Sequence, residues 1–164
     1  VDQSFKTEAR VPNNILLNYK RTFREGDFSD LMLKLSDGEV LRAHKVILTS
    51  QSKVFHAMFK NDCKESKERV VELSDIDSKT MKEALRFMYY GEVVNLKEIA
   101  QDLIFVAEKY ELDELKEKCI DSLIESLTTE NVLQFLVVSN QITGAEKLFD
   151  ICINAIMRSG LIKG

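Results

Sequence analysis

The chain has little of what small enzymes and secreted scaffolds are usually built on. Its 164 residues contain three cysteines, two histidines, six glycines and one proline. Cys63, Cys119 and Cys152 lie far apart without CxxC spacing, and the number is odd. That excludes a disulfide framework and points to a reducing compartment, hence an intracellular setting in nucleus or cytoplasm. The glycines are scattered, so no segment has the density that cradles a phosphate. The stretch Val132 to Ala145 carries no charge, but Gln134, Ser139, Asn140 and Gln141 interrupt it. It falls short of the roughly 18 apolar residues a membrane helix needs. Lys6, Glu8 and Arg10 stand where a signal peptide would carry its apolar core. Charge of one sign is not in excess either: 23 Lys and Arg interleave with 27 Asp and Glu, a net of −4. No basic face for nucleic acid is expected.

Chemistry is equally thin. A hydrolase would have to pair Cys63 or Ser50 with His44 or His56, yet there is no GxSxG and no nucleophile at a strand–helix elbow. A metal needs convergent Cys, His or carboxylates, and none converge here. Catalytic, cofactor and metal sites are therefore not expected. His44 sits where a strand gives way to a helix and should bond to backbone. Cys119 and Cys152 fall on apolar faces as core thiols, whereas Cys63 lies among Asn61, Asp62, Lys64 and Glu65 in a polar loop.

What the chain does have is an ordinary globular composition, 45% apolar and 30% charged, enough to bury about 70% of its unfolded surface. Residues 1–11 read as a linker. Pro12 suits a first helical turn, and Ile15, Leu16, Tyr19 and Phe23 recur at helical spacing, predicting a helix from Pro12 to Arg24. Gly26-Asp27 sets this helix apart, so its stripe must cover its own domain or a partner. Leu31, Leu33 and Leu35 alternate as a strand, and Asp37-Gly38 before Val40 to Ala43 predicts a type I′ hairpin. Two short helices follow, one around Val46, Ile47 and Ser50, the next begun at Ser52 with Val54, Phe55, Met58 and Phe59. Lys60 to Glu68 reads as an exposed loop and Arg69 to Leu73 as another strand.

From there every pattern is helical. Asp77 or Ser78 caps a helix with Met81, Ala84, Leu85 and Met88 on one face, ended by Tyr90-Gly91. Asn95 with Glu98 reads as a capping box, and Val94 with Ile99 as its hydrophobic staple. The helix they open buries Ile99, Leu103, Val106, Ala107 and Tyr110. Asp113 to Ser126 buries Leu115, Cys119 and Leu123. Val132, Leu133, Leu136 and Val137 predict one further face. Thr143 and Glu146 form a second capping box ahead of Leu148, Phe149, Cys152, Ile153 and Ile156. Residues 159–164 read as a tail. There is no internal repeat. Strands early and helices late argue an α+β fold.

The assembled runs Asp27-Phe28-Ser29-Asp30, Arg42 to Leu48 and Ser52 to Phe59 resemble the BTB/POZ domain. Tyr90-Gly91, Ala107, Tyr110, Leu112, Leu115 and Cys119 continue the likeness, which covers about Phe23 to Leu127. Met58 to Leu73 and Asp102 to Cys119 look most like the MATH-BTB group, that of the speckle-type POZ protein and its relatives. The resemblance implies a short sheet capped by helical hairpins over residues 12–127, followed at 128–158 by part of a BACK-like extension. It implies a homodimer in which Ile15, Leu16, Tyr19 and Phe23 are candidate contacts, burying upwards of ~1,200 Å². Asp30 and Lys45 match a charged pair near the dimer pocket. The likeness further implies a non-enzymatic ubiquitin-ligase adaptor that binds the cullin-3 N-terminal domain while its substrate is held by a domain outside this chain. Met58, Phe59, Cys63, Lys64 and Glu65 would make that contact, with Cys63 where relatives more often carry Met, a loss of about 1–2 kcal/mol. The alternative is a BTB dimerisation and scaffold module in transcriptional regulation, without cullin.

Overall fold

The computed structural model describes residues 13–60 and 69–159. Helix α1 (Asn13–Glu25) leads into a hairpin of β1 (Leu31–Leu35) and β2 (Val40–Ala43). Helices α2 (Lys45–Gln51) and α3 (Lys53–Lys60) precede β3 (Val70–Leu73). The remainder is helical: α4 (Ser78–Tyr90), α5 (Leu96–Lys109), α6 (Asp113–Glu125), α7 (Val132–Gln141) and α8 (Glu146–Ser159). This is the α+β arrangement expected.

The sheet has the order β2-β1-β3, antiparallel on one side of β1 and parallel on the other. Alternation decides its faces. Leu31, Leu33 and Leu35 are buried, as are Ala43, Val71 and Leu73, while Met32 and Lys34 face outward. A parallel partner cannot be reached by a tight turn, and α2 and α3 provide the crossover from β2 to β3. Ser52 joins them: its Oγ donates to the Tyr110 carbonyl at 2.6 Å and accepts the Phe55 N–H at 3.2 Å. The expected caps at Asp77 and Gly91 are both present. Asp77 accepts the Thr80 N–H at 2.7 Å, and Gly91 takes φ +77° with its N–H on the Phe87 carbonyl.

Four local expectations are corrected. The hairpin is not type I′, because Gly38 has positive φ and Asp37 does not. Gly38 N–H returns to the Leu35 carbonyl and Leu35 N–H to that of Glu39, so a type I turn is closed by a left-handed glycine bulge. Asn95 is itself left-handed, φ +55°, and makes no side-chain cap. Its carbonyl accepts the Glu98 N–H instead, and Val94, the expected staple residue, stays exposed. Thr143 is not a cap either; its N–H goes to Glu108 Oε1 at 3.1 Å, and α8 begins three residues later, with the Phe149 N–H on the Ala145 carbonyl. Finally, α7 buries Val132, Phe135, Val138 and Ser139 while Leu133 and Val137 are both 59% exposed.

Candidate interaction surfaces

Helix α1 is fixed to its own domain by one side. The Phe23 ring lies 5.3 Å from that of Tyr89 and 5.9 Å from that of Tyr90, both on α4. Lys20 Nζ reaches Glu92 Oε1 at 2.7 Å and lies over the Tyr90 ring. Leu16 is half-buried beside Met88 and Tyr89. The expected stripe is therefore divided: Leu16 and Phe23 turn inward, whereas Ile15 and Tyr19, which lie along its flank, stay exposed at 43% and 40%.

The loop after α1 is held at both ends. Gly26, φ +65°, closes the helix with its N–H on the Thr22 carbonyl. His44 Nε2 donates to the Asp27 carbonyl at 2.7 Å, which makes Nδ1 the acceptor of the Tyr89 hydroxyl at 2.6 Å. That same hydroxyl accepts the His44 main-chain N–H at 3.0 Å. Tyr89 is pushed up to about 12, first by burial, so it stays a donor. Asp30 Oδ1 accepts the Lys45 main-chain N–H at 2.8 Å, which caps α2 through the two residues expected to form a charged pair. Between these anchors Phe28 adopts φ +59° and is 98% exposed. A left-handed phenylalanine costs on the order of 1 kcal/mol, and here its ring gains no cover from its own domain. Sequence reasoning noticed Phe28 in a motif but gave it no contact role. The available signal was its place outside every periodic stripe.

At the end of α3, Phe59 stacks on Phe55 at 6.0 Å and Phe55 on Tyr110 at 4.3 Å. Lys45 Nζ lies 5.1 Å from the Phe59 ring. Met58 and Phe59 are half-buried at the end of α3. Cys63, Lys64 and Glu65 lie outside the described residues, and so does the hydrolase pairing that involved Cys63. The Ser50 hydroxyl is spent on the Ile47 carbonyl at 2.8 Å, and both His44 nitrogens are occupied. Among the described residues no group of three Cys, His, Asp or Glu converges on a metal position. No described helix is long and apolar enough to cross a membrane.

A short sheet, a helix-capped crossover and an outlying first helix define a protein-interaction fold. Residues 19–127 match the BTB/POZ domain, and the chain belongs to that family, whose members are non-catalytic interaction modules. Among solved structures the chain is similar to the BTB domain of zebrafish PATZ1. Identity is 24% with a TM-score of 0.58, over 77% of this chain and 98% of that one. The matched segment ends at Leu127, so α7 and α8 lie beyond it.

Proposed function

We propose that the chain acts as a homodimeric scaffold, with the outer flank of α1 and the loop after it as its self-association face. The observation that carries this is Phe28: a ring 98% exposed, on a backbone that disfavours it, beside Thr22 and Glu25 at the end of the helix that also exposes Ile15 and Tyr19. Exposed rings held in strained loops are kept where a partner covers them. Leu16 and Phe23 contribute from beneath by fixing the angle of α1. Asp30 and Lys45 act by anchoring the loop and α2.

Light scattering on the eluted protein is expected to give twice 18.8 kDa at micromolar concentration. Phe28→Gly relieves the left-handed strain and removes the ring, so it should halve the mass without lowering the melting temperature. Tyr19→Asp should halve it as well. A wild-type monomer, or a dimer indifferent to both changes, sinks the reading.

The cullin-3 adaptor of a MATH-BTB-like protein is the second reading, and α7 and α8 favour it. They extend the domain past Leu127 as a BACK-like element would, and they leave Leu133 and Val137 bare. Met58, Phe59, Cys63, Lys64 and Glu65 would then form the contact. Calorimetric titration with the cullin-3 N-terminal domain decides it: heat of binding abolished by Glu65→Ala supports the adaptor, and no heat leaves the scaffold alone.

A further inference from the structure

On the opposite flank of α1 from Tyr19 a cleft of about 470 Å³ runs between the end of α1, strand β2 and α4. Its walls carry five cations, Lys20, Arg24, Arg42, Lys82 and Arg86, against one carboxylate, Glu25. In a chain of net charge −4 this is a local reversal of sign. Part of it is neutralised. Lys20 is paired with Glu92, Arg24 Nη2 lies 3.3 Å from Glu25, and Arg86 Nε meets Glu83 at 3.3 Å without hydrogen-bond alignment. Arg42 and Lys82 are exposed and have no ion-pair partner among the described residues.

The cleft is not only charged. Phe23 and Tyr90 form an aromatic floor, with Arg86 Cζ 5.8 Å from the Phe23 ring. One wall is a strand edge, since β2 pairs with β1 alone among the described residues. Register fixes which of its groups face the cleft. The Leu35 N–H donates to the Glu39 carbonyl, so Leu41 and Ala43, two and four residues on, also bond toward β1. The main-chain N–H and C=O groups of Val40 and Arg42 therefore point outward, into the same cleft that both residues line.

We propose that this cleft docks an acidic, extended peptide segment of a partner protein as an added strand on β2, its carboxylates meeting Arg42 and Lys82. Main-chain pairing supplies affinity and alternate side chains supply selection: apolar ones go to the aromatic floor, acidic ones to the cations. A nucleic-acid strand fits less well. Glu25 lines the cleft and Glu92 and Glu83 border it, while an exposed strand edge offers a phosphate backbone little to pair with. The surface is independent of the self-association face, because Lys20 and Arg24 lie across α1 from Ile15 and Tyr19.

The test is fluorescence anisotropy of a labelled seven-residue peptide of alternating Glu and Val, with the Lys and Val counterpart and a labelled oligothymidine as comparisons. At low salt, where the Debye length is about 30 Å, the acidic peptide should bind. It should weaken about tenfold at 0.1 M salt and on Lys82→Glu. The amide resonances of Val40 and Arg42 should shift on binding more than those of Leu41 and Ala43. Lys82 is exposed, so its variant should keep the wild-type melting temperature, and Arg42→Gln gives a second reading of the same wall. Tighter binding of the oligothymidine overturns the proposal. So does equal binding of both peptides, indifference to both substitutions, or resonance shifts confined to other surfaces.

Discussion

The aromatic seam beneath α3 and the helical pair at the end of the chain bury apolar side chains in different ways. In the seam, Phe55 is fully buried and stacked on both Phe59 and Tyr110, and Ser52 ties α3 to the Tyr110 carbonyl. Residues far apart in sequence are interlocked there, so no part of the seam can open without the rest. By contrast, α7 and α8 pack chiefly on each other, with α8 also resting on α6. Leu148, Cys152 and Ile156 are buried there, yet Phe149, Ile153 and Met157 on α8 remain exposed alongside Leu133 and Val137. Two polar links, Thr143 to Glu108 and Lys147 to Asp121, tie the pair to the helices before it. The seam belongs to the global fold. The terminal pair is expected to open at lower cost than the seam.

The widest test of that difference is a pair of truncations. Phe55→Ala removes a stacked ring from a site with no room to collapse and should cost about 3–5 kcal/mol, lowering the whole unfolding transition. Leu148→Ala empties a position that is also fully buried and should cost roughly 2–4 kcal/mol locally. Its expected signature is loss of amide-exchange protection in residues 132–159, with α5 and α6 still protected. Uniform loss of protection in both variants would show one cooperative unit and erase the distinction.

The regions also differ in how much of them could be read in advance. In the sheet and in α4 to α6, apolar residues recur with one period, so Leu31, Leu33, Met81, Leu85, Leu103 and Leu115 were assignable to the core before any coordinates. In α7 the run Val132-Leu133-Gln134-Phe135-Leu136-Val137-Val138 is apolar nearly all round. Periodicity then has no face to choose, and packing on α8 selects Phe135 and Val138. The misread caps have another cause. Asn95 and Thr143 are good capping residue types, but a left-handed Asn95 and Gly144 reset the backbone there. The strain at Phe28 and the basic cleft escaped the sequence for a third reason. A strained loop depends on its anchors, and Lys20, Arg42 and Lys82 come together only in the folded chain.

The seam can be sharpened in the other direction at Tyr110. Its ring is buried and its hydroxyl has no hydrogen-bond partner among the described residues. Burial, the largest influence, and the nearby Asp75 both push this phenol upward. An unpaired buried hydroxyl costs about 1–3 kcal/mol, so Tyr110→Phe should raise stability by about 1 kcal/mol in a urea titration. A loss of stability would mean that the hydroxyl is paired in solution.

The smallest effect expected is the pH dependence of the terminal pair, and it rests on Glu108. Burial raises this carboxyl, but bonds from Thr143 and from Lys116, at 2.9 Å, outweigh it and hold the group below its ordinary value of 4.5. Because the folded value is depressed, the ionised form is the one that stabilises. Its contribution is complete at neutral pH and is lost as pH falls through the folded value. Lys116, raised chiefly by its bond to Glu108, stays charged across that range. Acidification should therefore loosen the Thr143 contact and speed proteolysis between α7 and α8 before the seam responds. Glu108→Gln keeps a carbonyl acceptor for Thr143 without the titrating charge, so its cleavage rate should be nearly flat from neutral pH to about pH 4. If wild type and variant follow the same pH profile, Glu108 is not the link that holds the terminal helices to the domain.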